Sequence, residues 1–174
     1  MKILFVSSEC APFSKSGGLA DVAFSLPPAL QKTGDDIAIV TPMYRVTQEN
    51  YGDEFERIKT CQIVLGQRRL ACSLYRGALN GVTVYAIGNE HLFHRPRLYG
   101  YGDDSLRFAF FCRAVIDLLP EFGDLPDILH CNDWETALAI LYLKNDAVLR
   151  PELSHIKTCL LYTSPSPRDV EESR

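Results

Sequence analysis

Two short stretches of the chain carry residue types able to do chemistry together. The first is Lys15-Ser16-Gly17-Gly18-Leu19-Ala20-Asp21-Val22, which follows a strand-like apolar run at residues 2–8 and a loop at residues 11–16. A strand feeding a glycine pair at the start of a helix gives close backbone approach, unpaired amides and the positive end of a helix dipole, and these suit a phosphate or another anion. Lys15, just ahead of those amides, would complement a diphosphate as a point charge. The second stretch is His130, Asn132, Asp133, Trp134 and Glu135. There Asn132 and Asp133 could bond sugar hydroxyls while Trp134 packs beside them.

Each feature also has a plainer account. The glycine pair lacks the third glycine of the dinucleotide fingerprint and the Gly-Lys-Ser/Thr ending of the phosphate loop, so a tight strand-to-helix turn explains it equally well. Lys15 reads also as a solvated loop lysine, and Asp21 as a first-turn acid that favours the dipole. Asn132 and Asp133 read as a helix cap beside a buried tryptophan. His91 and His94 share a loop, but no third ligand follows at a recognisable spacing, and no metal site is expected. Neither a Gly-x-Ser-x-Gly elbow nor a His-Glu-x-x-His motif is present, so hydrolase chemistry is unsupported.

The elements that must position these residues are legible. With 174 residues, 47% of them apolar, the chain can bury one well-packed core. The net charge of −4 and the lack of any Lys/Arg block argue against nucleic acid or an anionic membrane as partner. No signal-peptide pattern opens the sequence, and no apolar run approaches the roughly 20 residues of a membrane helix. Six scattered cysteines without a Cys-x-x-Cys pair fit a reduced, cytoplasmic protein that uses them as small core residues.

After the glycine pair, Leu19, Val22, Ala23, Leu26, Ala29 and Leu30 form one apolar stripe at helical spacing, and Pro27-Pro28 predicts a kink or restart before a stop at Thr33-Gly34. Residues 36–42 make a near-continuous apolar strand, which closes a strand-helix-strand unit of parallel type. Short alternating strands at 57–65, 68–76 and 81–87, with turns at Gly66-Gln67 and Asn80-Gly81, read as an antiparallel insertion or edge. Residues 89–102 read as a loop. Asp103-Asp104-Ser105 supply caps for a helix running through Leu119 and ended by Pro120. A strand at 127–131 then meets a helix from Trp134 to about Lys144. This second strand-to-helix turn can face the first across a crevice at one rim of the sheet. Residues 156–162 could form a further strand, and the stretch from Thr163 has no periodicity.

The segment from Lys15 to Val22 closely resembles the signature near the amino terminus of bacterial glycogen synthases and plant starch synthases. So do Phe5-Val6-Ser7-Ser8-Glu9, Ala11-Pro12-Phe13, Leu26-Pro27, Thr41-Pro42-Met43-Tyr44, Leu98-Tyr99-Gly100 before Arg107-Phe108, and Asn132-Asp133-Trp134 before Thr136-Ala137-Leu138. Order and spacing hold from Met1 to about Thr158. The resemblance implies an α/β fold, a Rossmann-like parallel sheet with helices on both faces and an antiparallel hairpin insertion, as the amino-terminal half of a two-domain GT-B glycosyltransferase. It implies a retaining enzyme that moves glucose from ADP-glucose to the non-reducing end of an α-1,4-glucan, glycogen, with no cofactor and no metal. Lys15 is then the donor-binding lysine near the diphosphate, with the backbone of Gly17 and Gly18 beside it. Asp21, Tyr99 and Asp133 line the glucose or acceptor side.

Two departures stand out. Many members have His where this chain has Glu135. After Thr158 the family continues into a strand ending Thr-Ile/Val-His-Asn, whose histidine is a catalytic-site residue, whereas here Cys159 to Asp169 resembles translated sequencing-adapter sequence. Residues 1–158 are therefore expected to be an incomplete catalytic domain and residues 159–174 a non-native disordered tail. On that expectation the chain holds no catalytic residue and is inactive alone. A non-catalytic nucleotide-sugar-binding module is the alternative class, and UDP-glucose the alternative donor.

Overall fold

The computed structural model describes residues 1–162, so the expected disorder beyond Thr163 lies outside the described residues. Seven strands form one sheet: β1 (Lys2–Ser7), β2 (Asp36–Pro42), β3 (Glu56–Leu65), β4 (Arg68–Leu79), β5 (Val82–Gly88), β6 (Ile128–Asn132) and β7 (Lys157–Leu161). Their spatial order is β3-β4-β5-β2-β1-β6-β7. The helices are α1 (Gly18–Lys32), α2 (Arg45–Tyr51), α3 (Glu90–Phe93), α4 (Asp104–Asp117) and α5 (Trp134–Asp146).

Alternation along β1 divides the core into two layers. Ile3 and Phe5 join Ile37, Ile39, Val84 and Ala23 under α1, while Leu4 and Val6 join Val40, Leu129, Phe111 and Leu143 under α4 and α5. A strand with apolar side chains on both sides must be covered on both, and this is why the strands read as near-continuous apolar runs. Cys10, Cys72, Cys112 and Cys131 are buried as small core residues.

The hairpin turns fall where the sequence put them, and Asn80 and Gly81 both take positive φ, 51° and 85°, as a type I′ turn requires. The third of these strands is not part of a detached insertion. β5 pairs antiparallel with β4 but parallel with β2, through Ala38↔Thr83 to Pro42↔Ile87. Val82, Val84, Tyr85, Ala86 and Ile87 are all buried, so β5 is an interior strand and only β3 and β4 extend the sheet as a hairpin.

Three further expectations are corrected. α1 runs unbroken from Gly18 to Lys32 through Pro27 and Pro28. Pro27 extends the buried stripe of Leu19, Ala20 and Ala23 against the sheet, and that burial outweighs the two missing amide donors, whereas Ala29 is exposed. The caps expected of Asp103 and Asp104 are spent elsewhere. The Asp103 carboxylate accepts from both terminal nitrogens of Arg95 at 2.6 and 2.7 Å, and Asp104 accepts from the amides of Gly100 and Tyr101 at 2.7 and 3.1 Å. A bidentate ion pair outcompetes a neutral cap. Within the expected loop at 89–102, Asn89 caps the short α3 by accepting from the Leu92 amide. The further strand expected at residues 156–162 is β7, where Cys159, Leu160 and Leu161 pair in parallel with His130, Cys131 and Asn132. Ladder pairing uses main-chain groups, so a change in side-chain texture does not end it.

From β1 the chain steps to β2, crosses to the sheet edge at β3, comes back inward through β4 to β5, and then passes to the other flank of β1 as β6. At such a reversal, the loops leaving the two strands diverge and leave a crevice at their carboxyl ends. β1 and β6 end in register, Ser7 opposite Asn132.

Candidate functional site at the reversal of strand order

The loop leaving β1 is pinned from below. Phe13 is buried edge-on against Tyr51 and Phe55, Cys10 and Ser14 exchange main-chain bonds, and the Thr47 hydroxyl donates to the Phe13 carbonyl at 3.1 Å. These contacts leave Lys15 to Gly18 on the outside, where Lys15, Gly17 and Gly18 are exposed. The Lys15 ammonium donates to both oxygens of Asp21, at 2.6 and 2.8 Å, across the first turn of α1. Lys15 also lines an open cavity of about 560 Å³ with Phe13, Ser16, Val46, Arg97 and Tyr99. Lys15 and Tyr99, distant in sequence, thus share one concavity.

The glycine pair is not demanded by the fold. Gly17 is extended, φ −149°, and a Cβ added at Gly17 or Gly18 would meet no atom within 4 Å. Neither backbone conformation nor internal packing excludes a side chain at either position. The amides are only partly available, however. The Glu9 carboxylate accepts from the Ser16 amide at 2.6 Å and the Gly17 amide at 3.3 Å, and this corrects the expectation that the helix start offers bare donors throughout. Gly18 opens α1, and its amide has no partner among the described residues.

Tyr99 comes from the loop between α3 and α4, which is stitched down by Arg107. That guanidinium is fully buried; its Nε donates to the Leu92 carbonyl at 2.6 Å and its Nη1 to the Leu98 carbonyl at 2.9 Å and to Asp104 at 2.5 Å. The Tyr99 ring leans on Phe108, and its hydroxyl lies 3.0 Å from the Ser8 hydroxyl, beside the end of β1. Burial raises the Tyr99 phenol well above its ordinary pKa, so it is a neutral donor and acceptor throughout the physiological range.

The turn after β6 is a single residue. Asp133 is buried, takes φ 64° and ψ 178°, caps α5 by accepting from the Trp134 amide at 2.8 Å, and donates its own amide to the Leu161 carbonyl. That backbone region belongs essentially to glycine and costs an aspartate about 1–3 kcal/mol. The cap expected from sequence is present. The tryptophan beside it is not buried: Trp134 is 45% exposed and meets Phe108 edge-on at 5.4 Å. Asn132 instead points inward and donates to the Val6 carbonyl at 3.0 Å, tying β6 to β1. His130 stacks on Phe5 in mid-strand, away from the rim, and burial holds its imidazole below the ordinary pKa.

Three residues that sequence reasoning left without a role belong here. Glu9 is buried behind the loop, and Arg97 adds a second cation to the cavity that Lys15 lines. Glu135 is buried in the first turn of α5, one of its oxygens has no hydrogen-bond partner among the described residues, and burial together with Asp133, Glu9 and Asp104 raises its pKa to about 7. Only the placement of Glu9 two residues past a strand, and of Arg97 in an aromatic-rich loop, hinted at them. Among the described residues no three His, Cys, Asp or Glu side chains are grouped to hold a metal, and His94 faces Gln48.

Comparison with known proteins gives a consistent result. The family model described as the starch synthase catalytic domain matches residues 2–162. Glycogen synthase of Geobacillus thermodenitrificans is 41% identical over 163 residues, which is 94% of this chain and 33% of that protein. Glycogen synthase of Clostridium kluyveri is 46% identical over 143 residues, 82% of this chain and 30% of that protein. Among solved structures, the catalytic domain of starch synthase IV from Arabidopsis thaliana, bound to ADP and acarbose, superposes with a TM-score of 0.78 at 30% identity, covering 91% of this chain and 33% of that one. The chain spans about a third of the length of the curated relatives it matches.

Proposed function

Since the chain belongs to the starch synthase catalytic-domain family, we propose that it forms the amino-terminal part of a retaining glucosyltransferase that moves glucose from ADP-glucose to the non-reducing end of an α-1,4-glucan in glycogen synthesis. The observation that carries this reading is the glycine pair beside Lys15. Neither its backbone angles nor its packing excludes a side chain, and the space it leaves open adjoins an exposed cation at the reversal of strand order. A diphosphate approaching Gly17 and Gly18 would meet the Gly18 amide, the positive end of α1 and the Lys15 ammonium. Asp21, now bonded to Lys15, would release it toward the phosphate and turn to the sugar side.

Tyr99 and Asp133 are the groups offered to sugar hydroxyls. Tyr99 is held as a neutral phenol, and Asp133 is fixed in a costly backbone conformation that a mere helix cap would not need. In the complete enzyme, Lys15 and the helix terminus would offset charge on the departing diphosphate, and a facing second domain would exclude water and bring the remaining reaction-centre groups. ADP-glucose is chosen as donor over UDP-glucose because the Arabidopsis thaliana relative is bound to ADP. A cytoplasmic setting fits the six free cysteines.

The test is a hybrid enzyme in which residues 1–162 replace the matching third of the Geobacillus thermodenitrificans glycogen synthase. The folded hybrid is expected to transfer glucose from ADP-glucose to glycogen, and the 174 residues alone to transfer none. A hybrid that folds and binds ADP-glucose but transfers nothing would favour a non-catalytic binding module. Equal use of UDP-glucose would overturn the choice of donor.

A further inference from the structure

Glu9 is 3% exposed, yet it is a carboxylate lying two residues beyond β1. Its backbone is fixed by the Ser7 hydroxyl, which donates to the Glu9 carbonyl at 2.6 Å. Its side chain reaches across the loop: Oε2 accepts from the Ser16 amide at 2.6 Å and the Gly17 amide at 3.3 Å, and Oε1 accepts from the Ser16 hydroxyl at 2.6 Å. A buried carboxylate is costly unless donors surround it, and here two of the three donors are main-chain amides just ahead of α1. The protein thus supplies its own anion to the donors that a ligand phosphate would otherwise use.

We propose that Glu9 is a positioning residue for the donor site, holding the Ser16 and Gly17 amides so that an incoming diphosphate is confined to the Gly18 amide and the Lys15 ammonium. The proposal rests on the donor-site reading given above. Two physical effects act together. The clamp keeps the loop in the shape that puts Lys15 at the mouth of the cavity and the glycine pair in open space. The negative charge behind the loop also repels a second anion from the inner amides, which sets how deeply the diphosphate can seat.

Amide resonances of the 15N-labelled 174-residue chain test this with inorganic pyrophosphate as the probe. In the wild type, pyrophosphate is expected to shift Lys15 and Gly18 and to leave Ser16 and Gly17 in place. In Glu9→Gln the Ser16 and Gly17 amides are expected to exchange with solvent about tenfold faster, as loss of a charge-assisted bond implies, and pyrophosphate should then reach them. Wild-type pyrophosphate shifts as large at Ser16 and Gly17 as at Gly18 overturn the proposal, and this titration does not depend on whether the variant folds. Unchanged exchange in a folded Glu9→Gln also overturns it. Pyrophosphate that moves no loop amide in either protein overturns the donor-site reading instead, while the exchange difference still supports the clamp.

Discussion

The two strand-to-helix turns at the reversal of strand order stand side by side, Ser7 opposite Asn132, yet they solve opposite problems. The turn after β1 spends residues 8–17 on a loop whose buried carboxylate faces inward, while its ammonium and its glycines face out into open space. The turn after β6 spends one residue, Asp133, buried and strained, with the half-unsatisfied Glu135 carboxyl behind it. The first presents positive charge where solvent and ligand can reach it. The second buries its acids, and there burial and the neighbouring Asp133 raise the pKa of the Glu135 carboxyl. The same topological place can therefore expose a cation or bury acids, depending on which segments the fold packs behind it.

That contrast can be broken in four ways, taken from the largest expected effect to the smallest. The closed turn should be sensitive to pH. Glu135 has its folded pKa raised from 4.5 to about 7, so the stability it contributes is fully present below about pH 4.5 and is lost as the pH rises through 7. Glu135→Gln should flatten this window and gain on the order of 2 kcal/mol over the wild type at pH 8, read from urea unfolding at pH 5 and 8. Parallel profiles for the two proteins would place the Glu135 charge in solvent.

The open turn should be sensitive in ligand handling and not in stability. In the hybrid enzyme, Lys15→Gln is expected to lower kcat/KM for ADP-glucose about 10- to 100-fold, whereas loss of the exposed Lys15–Asp21 pair costs under about 1 kcal/mol of folding. Unchanged donor kinetics would return Lys15 to a solvated loop position.

Asp133 separates capping from strain. Asp133→Ala should cost about 1–2 kcal/mol, since the cap is lost and the positive φ kept, while Asp133→Gly should stay within about 1 kcal/mol of the wild type because strain relief offsets the lost cap. Equal losses in thermal unfolding would show that no strain is stored there. The smallest effect on folding is expected at Gly17→Ala, under about 0.5 kcal/mol, with a raised KM for ADP-glucose in the hybrid. A large stability loss would mean that the glycine serves the fold after all.

Local signals that depend on a few adjacent residues were legible. Asn80-Gly81 announced its turn, because positive φ at two successive positions leaves few residue types, and Asp133 announced the cap of α5. Signals whose outcome depends on a distant partner were not. Pro27 and Pro28 look like a break until the sheet beneath them is present. Asp103 and Asp104 look like caps until Arg95 and the amides of Gly100 and Tyr101 compete for them. β5 alternates like an edge strand, and only its parallel pairing with β2 makes it interior. At the site, Lys15, Gly17, Gly18 and Asp21 could be singled out from one continuous stretch. Glu9 could not, because its bonds to Ser16 and Gly17 require the loop to fold back on itself.

What the sequence alone determined is the order of the strands and of the long helices α1, α4 and α5, the placement of a cation and two glycines at a helix start, and the likeness to a family, since all three are properties of short spacings or of letters in order. What only the tertiary structure decided is which amides remain free, that Tyr99 shares a cavity with Lys15, and that Asp133 is strained and Glu135 buried. The physical reason is that hydrogen-bond donors are few and competed for, and burial fixes the energy of each charge. Both depend on which segments the fold brings within a few ångströms, and sequence spacing does not encode that distance.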